Sequence, residues 1–118
     1  MNLVLALTLI LGADMYDATF DGANQAYRSG NYAAAVTQYE QLVTAQVENP
    51  VLFFNLGNAH NAAGSVGKAI AMYERALQLD PNMEAAKHNI DTLLKNTKRN
   101  LARPLPGDVE QALFFWAE

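Results

Sequence analysis

The reading of this chain turns on Asn55-Leu-Gly-Asn-Ala-His60, on Gly64, and on Ala69-Ile-Ala-Met-Tyr-Glu-Arg-Ala-Leu-Gln-Leu-Asp-Pro81. Small residues stand at Gly57, Ala69 and Ala76, and large apolar ones at Phe53, Leu56, Ile70, Tyr73 and Leu77. Apolar residues three and four apart predict amphipathic helices. The small residues let two such helices approach closely, and Gly64 supplies the turn between them. The same grammar occurs once upstream at a period of 34: Gly30 matches Gly64, Ala35 matches Ala69, Val36 matches Ile70, Tyr39-Glu40 matches Tyr73-Glu74, and Asn24 matches Asn58. A helical hairpin repeated at this period cannot bury its apolar face alone and stacks on its neighbour. The predicted fold is therefore all-α, a short α-solenoid.

Outward from that stretch, Phe20, Ala23, Ala26 and Tyr27 predict a helix over Tyr16–Ser29, ended by Gly30. A second helix is expected over Tyr32–Ala45, with Ala35, Val36, Tyr39, Leu42 and Val43 on one face. Pro50 suits the first turn of the third helix. Gly57 is expected to admit the partner helix, and Val66, Ala69, Ile70, Tyr73, Ala76 and Leu77 form the stripe of the fourth. Pro81 stops that helix. A fifth, over Met83–Thr97, turns Ala86, Ile90, Leu93 and Leu94 inward and caps the stack. The expected organisation is a repeat domain over 14–100, with repeats at about 16–49 and 50–83 and a capping helix at 83–99.

Both flanks carry apolar sequence. Leu3-Val-Leu-Ala-Leu-Thr-Leu-Ile-Leu-Gly-Ala13 is too short to span a bilayer, which takes about 20 apolar residues. Residues 1–13 have the length of a signal-peptide core with Ala13 at the cut, although no basic residue precedes the run and Leu11 stands three back. The other reading is an apolar N-terminal helix packed on the first repeat. In the tail, 101–118, Arg103-Pro-Leu-Pro-Gly107 breaks the chain, and Val109, Ala112, Leu113 and Trp116 share a face. That segment either folds back on the open edge of the stack or meets a membrane or partner.

Composition excludes several functions. A formal charge of −4 argues against a nucleic-acid partner. With no cysteine there is no disulfide, thiolate ligand or cysteine nucleophile. His60 and His88 are the two histidines, in no metal-binding spacing, and neither a phosphate loop nor a nucleophile elbow occurs. His60 reads as a packed histidine. No catalysis, metal or cofactor is expected. Five of the eight basic residues fall between Lys87 and Arg103, where Lys95, Lys98 and Arg99 complement the end of the fifth helix.

The stretch Pro50–Pro81 resembles a tetratricopeptide repeat (TPR), with Phe53, Leu56, Gly57, Ala69, Tyr73, Ala76 and Pro81 on the consensus positions and His60 where an aromatic is usual. That resemblance implies a concave groove, lined by the first helix of each repeat, that binds a peptide or helix of another protein. Carried onto this chain, the groove positions are Phe20, Asn24, Tyr27, Phe54, Asn55, Asn58, Asn61, His88, Asn89 and Thr92. Carboxamides both donate to and accept from a peptide backbone, and aromatics supply contact area. The other reading is that asparagines at these places bond the repeats' own backbone. One subtype of the family clamps a C-terminal carboxylate with two asparagines and several cations. Asn24 and Asn55 match its asparagines, but its cationic positions read Phe20, Ala85 and Asn89, so that activity is not expected.

From Phe20 to Asn89 the wording, including Phe54-Asn-Leu-Gly-Asn-Ala-His60 and His88-Asn89, also resembles the repeat region of BatE-type proteins of bacterial aerotolerance operons. That likeness implies an exported, envelope-held scaffold associated with von Willebrand factor A-type proteins and a MoxR-type ATPase. The expected function is a non-catalytic protein–protein scaffold in the periplasm or cell envelope. The alternative is a self-association module that pairs through its repeat edges and Leu113–Trp116. A cytoplasmic location is the alternative to export.

Overall fold

The computed structural model describes the backbone of residues 3–101 and the side chains of residues 12–99. The expected C-terminal helix and the inner face of the Leu3–Leu11 run lie outside what is described. Five helices follow one another among the described residues: α1 (Leu3–Arg28), α2 (Tyr32–Thr44), α3 (Pro50–Ala62), α4 (Val66–Leu79) and α5 (Glu84–Leu101). Each packs on the next, so α1/α2 and α3/α4 are two stacked hairpins and α5 covers the second.

The two hairpin turns are built alike. At the end of α1 the amide of Gly30 donates to Tyr27 O and that of Asn31 to Ala26 O, with Gly30 at φ 82°. At the end of α3 the amide of Gly64 donates to Asn61 O and that of Ser65 to His60 O, with Gly64 at φ 86°. Both are Schellman motifs, whose left-handed residue favours glycine. Asn31 then caps α2 by accepting from the Ala34 amide at 3.3 Å. Asn49 caps α3 by accepting from the Val51 amide at 2.8 Å, with Pro50 in the first turn as expected.

The core lies between the hairpins and inside each. Ala23, Ala35, Tyr39, Leu42, Leu52, Leu56 and Ala59 form its first part, and Ala69, Tyr73, Ala86 and Leu93 its second. Gly57 is buried in α3 where α4 crosses, and a Cβ there would lie 2.6 Å from the Tyr73 ring. The small residue expected at that crossing is therefore required by the ring itself.

Three expectations change. The first helix does not begin at Tyr16 but runs unbroken from Leu3, across the expected boundary at Ala13. Residues 3–16 contain no proline, and their single glycine is tolerated inside a helix. The fifth helix reaches Leu101 rather than Thr97. Leu94, expected inward, is 44% exposed. It stands one period after His60, a position that α2 and α4 enclose only where a helix lies on each side.

The outer faces of the stack differ in kind from the joint within it. Repeat two meets repeat one through Leu52, Leu56 and Ala59, against Ala35, Tyr39 and Leu42. One period earlier, the outward face of α1 carries Ala18, Gly22 and Gln25, none of them buried. On α5, Lys87 and Asp91 stand where α3 has Phe53 and Gly57, the residues that face α4. Lys87 pairs with Glu84 at 2.8 Å and Lys95 with Asp91 at 2.7 Å along that exposed helix. The polar face of α5 is of the kind that solvates the end of a repeat stack, whereas the α1 face carries small residues and one glutamine.

Candidate functional site

Two connected depressions run along α1, α3 and α5. The first, of about 310 Å³, is lined by Asn24, Tyr27, Arg28, Tyr39, Asn55 and Asn58. The second, of about 140 Å³, shares Tyr27 and Asn58 and adds Asn61, Tyr73, Asn89 and Thr92. Seven of the ten residues expected in a groove are thus brought together. Phe20, Phe54 and His88 are not, which corrects the expectation. Phe20 packs between Tyr16 and Tyr39, with ring centroids at 5.8 and 5.9 Å, and Phe54 packs on Tyr73 at 5.6 Å. His88 is exposed and lines neither depression. Phe20 and Phe54, one 34-residue period apart, turn toward the second helix of their own repeat, and His88 stands one period further on.

The floor of the groove is a hydrogen-bonded ladder that repeats with the chain. In the first rung Asn24 Oδ1 accepts from the Tyr39 hydroxyl and, at 3.2 Å, from Asn55 Nδ2. In the second, Asn58 Oδ1 accepts from the Tyr73 hydroxyl at 2.7 Å and from Asn89 Nδ2 at 3.3 Å. Each rung joins both helices of one repeat to the first helix of the next unit. Tyr39 and Tyr73 are 2% and 0% exposed, and these bonds satisfy hydroxyls that would otherwise be buried unpaired. Burial raises the pKa of both tyrosines. The Asn55 amide and the Arg28 charge act against it at Tyr39, and the Asn89 amide acts against it at Tyr73.

The ladder also fixes which way each carboxamide points. Asn24 and Asn58 turn their oxygens to the tyrosine hydroxyls, and among the described residues their NH2 groups make no side-chain hydrogen bond. Asn55 and Asn89 donate inward and keep their oxygens. Among the described residues no buried side-chain nitrogen or oxygen lacks a partner, so the uncommitted groups face solvent in the groove. Along the groove the surface alternates: donor at Asn24, acceptor at Asn55, donor at Asn58, acceptor at Asn89.

His60 sits elsewhere, 5% exposed, with Nε2 3.5 Å from Glu40 Oε1. Burial lowers its pKa and nearby Lys68 lowers it further, against the opposing pull of Glu40. Sequence reasoning placed it in the packing, as found. It did not place Tyr39, Tyr73 and Arg28 in the groove. The two tyrosines read as core in the sequence, and their rings are; the spacing of 15 between each tyrosine and its asparagine, the same in both repeats, is the available signal.

A stack of helical hairpins joined in this way is an interaction repeat, with its distinctive surface on the first helices. The tetratricopeptide repeat family matches residues 20–84, more than half of the chain. The chain belongs to that family, whose repeats generally mediate protein–protein interaction. It is 30% identical over 84 residues to a TPR repeat-containing thioredoxin, TTL4, of Arabidopsis thaliana, covering 66% of this chain and 12% of that protein. It is 29% identical over 104 residues to the photosystem I assembly protein Ycf3 of Cyanophora paradoxa, covering 79% of this chain and 58% of that one. A third relative, the pre-mRNA-splicing factor SYF1 of Kluyveromyces lactis, is 31% identical over 52 residues, 44% of this chain and 6% of its own length. The chain therefore spans less than two thirds of each of these relatives.

Proposed function

We propose that this chain is a non-catalytic scaffold that docks an extended segment of a partner protein along α1, α3 and α5. The observation that carries this reading is the alternation of free amide donors and acceptors at Asn24, Asn55, Asn58 and Asn89. An extended peptide offers its own N–H and C=O groups in alternation. A helix has spent those groups internally and could use only side chains. Of the two occupants the family allows, the extended segment matches this surface better. The residues proposed to contact it are Asn24, Tyr27, Asn55, Asn58, Asn61, Asn89 and Thr92.

The test is selection of linear peptides from a random library on the full chain, followed by affinity measurement on variants. Asn55→Ala removes a groove carboxamide yet leaves both tyrosine hydroxyls bonded, and should weaken selected peptides by roughly two- to tenfold with unchanged helicity. Peptides that bind Asn55→Ala and Asn89→Ala as tightly as the parent would sink this reading.

The setting proposed is a bacterial cell-envelope complex of the aerotolerance type, with von Willebrand A-type proteins or a MoxR-type ATPase system as partners. It is supported by the wording of residues 20–89 and by the apolar run before Asp14. Membrane association through either apolar terminus belongs to the same proposal. Mass measurement of the N-terminus in the native organism tests it: a start near Asp14 fits export, and an intact Met1 in the cytoplasm does not. The self-association reading meets Lys87 and Asp91 on α5 but finds Ala18, Gly22 and the exposed Met15 on α1.

A further inference from the structure

On another side of the molecule, where the two repeats meet, α2, α3 and α4 enclose a cleft of about 350 Å³ that shares no residue with the groove. Its apolar wall comes from Val43, Ala71 and Met72, with the buried Leu56 beneath them. Its polar groups are Glu40, His60, Lys68 and Arg75. Glu40 lies 3.5 Å from His60 with its side chain more than half exposed, and among the described residues no carboxylate pairs with Lys68 or Arg75. The Arg75 guanidinium is held in place over the Phe53 ring, 4.2 Å from its centroid. Such stacking pre-orders the group without neutralising it.

The period of the chain gives a second observation. One repeat earlier, the residues equivalent to His60, Lys68 and Arg75 are Ala26, Ala34 and Gln41. The hairpin itself therefore folds without these three nitrogen-bearing side chains. They appear together in the single described joint between repeats, around a cavity of the lower end of ligand-site size. Two cations beside an apolar wall outnumber the one carboxylate there, Glu40, and complement a molecule with an anionic head and a hydrocarbon body.

We infer that this cleft binds a small aliphatic carboxylate, its head on Lys68 and Arg75 and its chain against Val43, Ala71 and Met72. The inference does not rest on the peptide groove. The test is a 15N-resolved NMR titration of the full chain with octanoate, 1-octanol and octylammonium, each below its micelle concentration. Octanoate should give saturable shifts centred on Val43, Ala71 and Met72, and the alcohol and the cation should bind about tenfold more weakly or less. Lys68→Ala and Arg75→Gln, which install the first repeat's own residues, should weaken octanoate by a similar factor with unchanged circular dichroism. Asn55→Ala should leave octanoate binding as it is. Equal binding of octanol and octanoate, shifts scattered over the surface, or an unchanged affinity in both folded variants would each overturn the proposal. Should one variant fail to fold, the other and the three-ligand comparison still decide.

Discussion

The Tyr73 hydroxyl donates to Asn58 Oδ1 across 2.7 Å, and the same bond joins Tyr39 to Asn24 one period earlier. A core residue of the second helix thus sets the amide orientation of a groove residue on the first. Tyr73→Phe keeps the ring and removes the donor. It should cost about 1 kcal/mol of stability, the net worth of a typical hydrogen bond, and it frees the Asn58 amide to turn over. Partner peptides should then bind more weakly although no contact residue has changed. Denaturant titration beside peptide affinity checks this, and a loss of stability with unaltered affinity would separate the ladder from recognition.

At the α3–α4 crossing the outcome is set by space. A Cβ on Gly57 meets Tyr73 at 2.6 and 2.7 Å, on ring atoms that are themselves fully buried. The ring cannot swing out without breaking its bond to Asn58. Gly57→Ala should therefore destabilise by about 1–3 kcal/mol despite alanine's better helix propensity. Gly67→Ala, where an added Cβ meets nothing within 4 Å, should be neutral or stabilising. Melting curves of the pair make the comparison internal, and equal effects would undo the packing argument.

Much of this was open to a reader of the sequence. Gly30, Gly64, Pro50 and the small residues at Gly57 and Ala69 place the turns, starts and crossings, because each answers to one local requirement. The groove was legible only in part. Phe20, Asn24 and Tyr27 lie on one stripe of α1, since residues three and four apart share a face. Nothing in that spacing says where the stripe passes from core to groove. The position of α2 decides it, leaving Phe20 against Tyr39 and Asn24 at the rim. The sequence leaves the start of α1 open for a related reason: an apolar run serves equally as a leader or as helix, and its composition does not distinguish them.

His60 links stability to pH. Burial and Lys68 depress its pKa below the ordinary value of 6.5, with Glu40 on α2 opposing and Arg75 on α4 in the same cleft. The folded protein then resists a proton that the unfolded chain accepts. Stability is full above the unfolded pKa and falls as pH drops through it. Urea midpoints at pH 7.5, 6.5 and 5.5 should decline for the parent. His60→Phe, which supplies the aromatic usual at this position, should remove that part of the decline. Parallel declines would assign the effect to carboxylates instead.

Gln46 ends α2 in a conformation its side chain disfavours. Its φ is 61°, while its amide donates to Val43 O at 2.9 Å and that of Val47 to Leu42 O at 3.2 Å. This is the motif that closes α1 and α3, where Gly30 and Gly64 hold the left-handed position. A residue with a Cβ pays about 1–2 kcal/mol there, whereas glycine loses roughly 0.5–1 kcal/mol through its freer unfolded chain. Gln46→Gly should therefore raise stability by a few tenths to about 1 kcal/mol, and Gly30→Ala should lower it by about 1 kcal/mol. For a domain of this size such changes move Tm by a few degrees, within reach of a thermal melt. Opposite signs in the two variants are the expected result, since one removes and the other adds a Cβ at equivalent turns. A loss in both would mean that the Gln46 side chain contributes a contact outweighing its backbone strain.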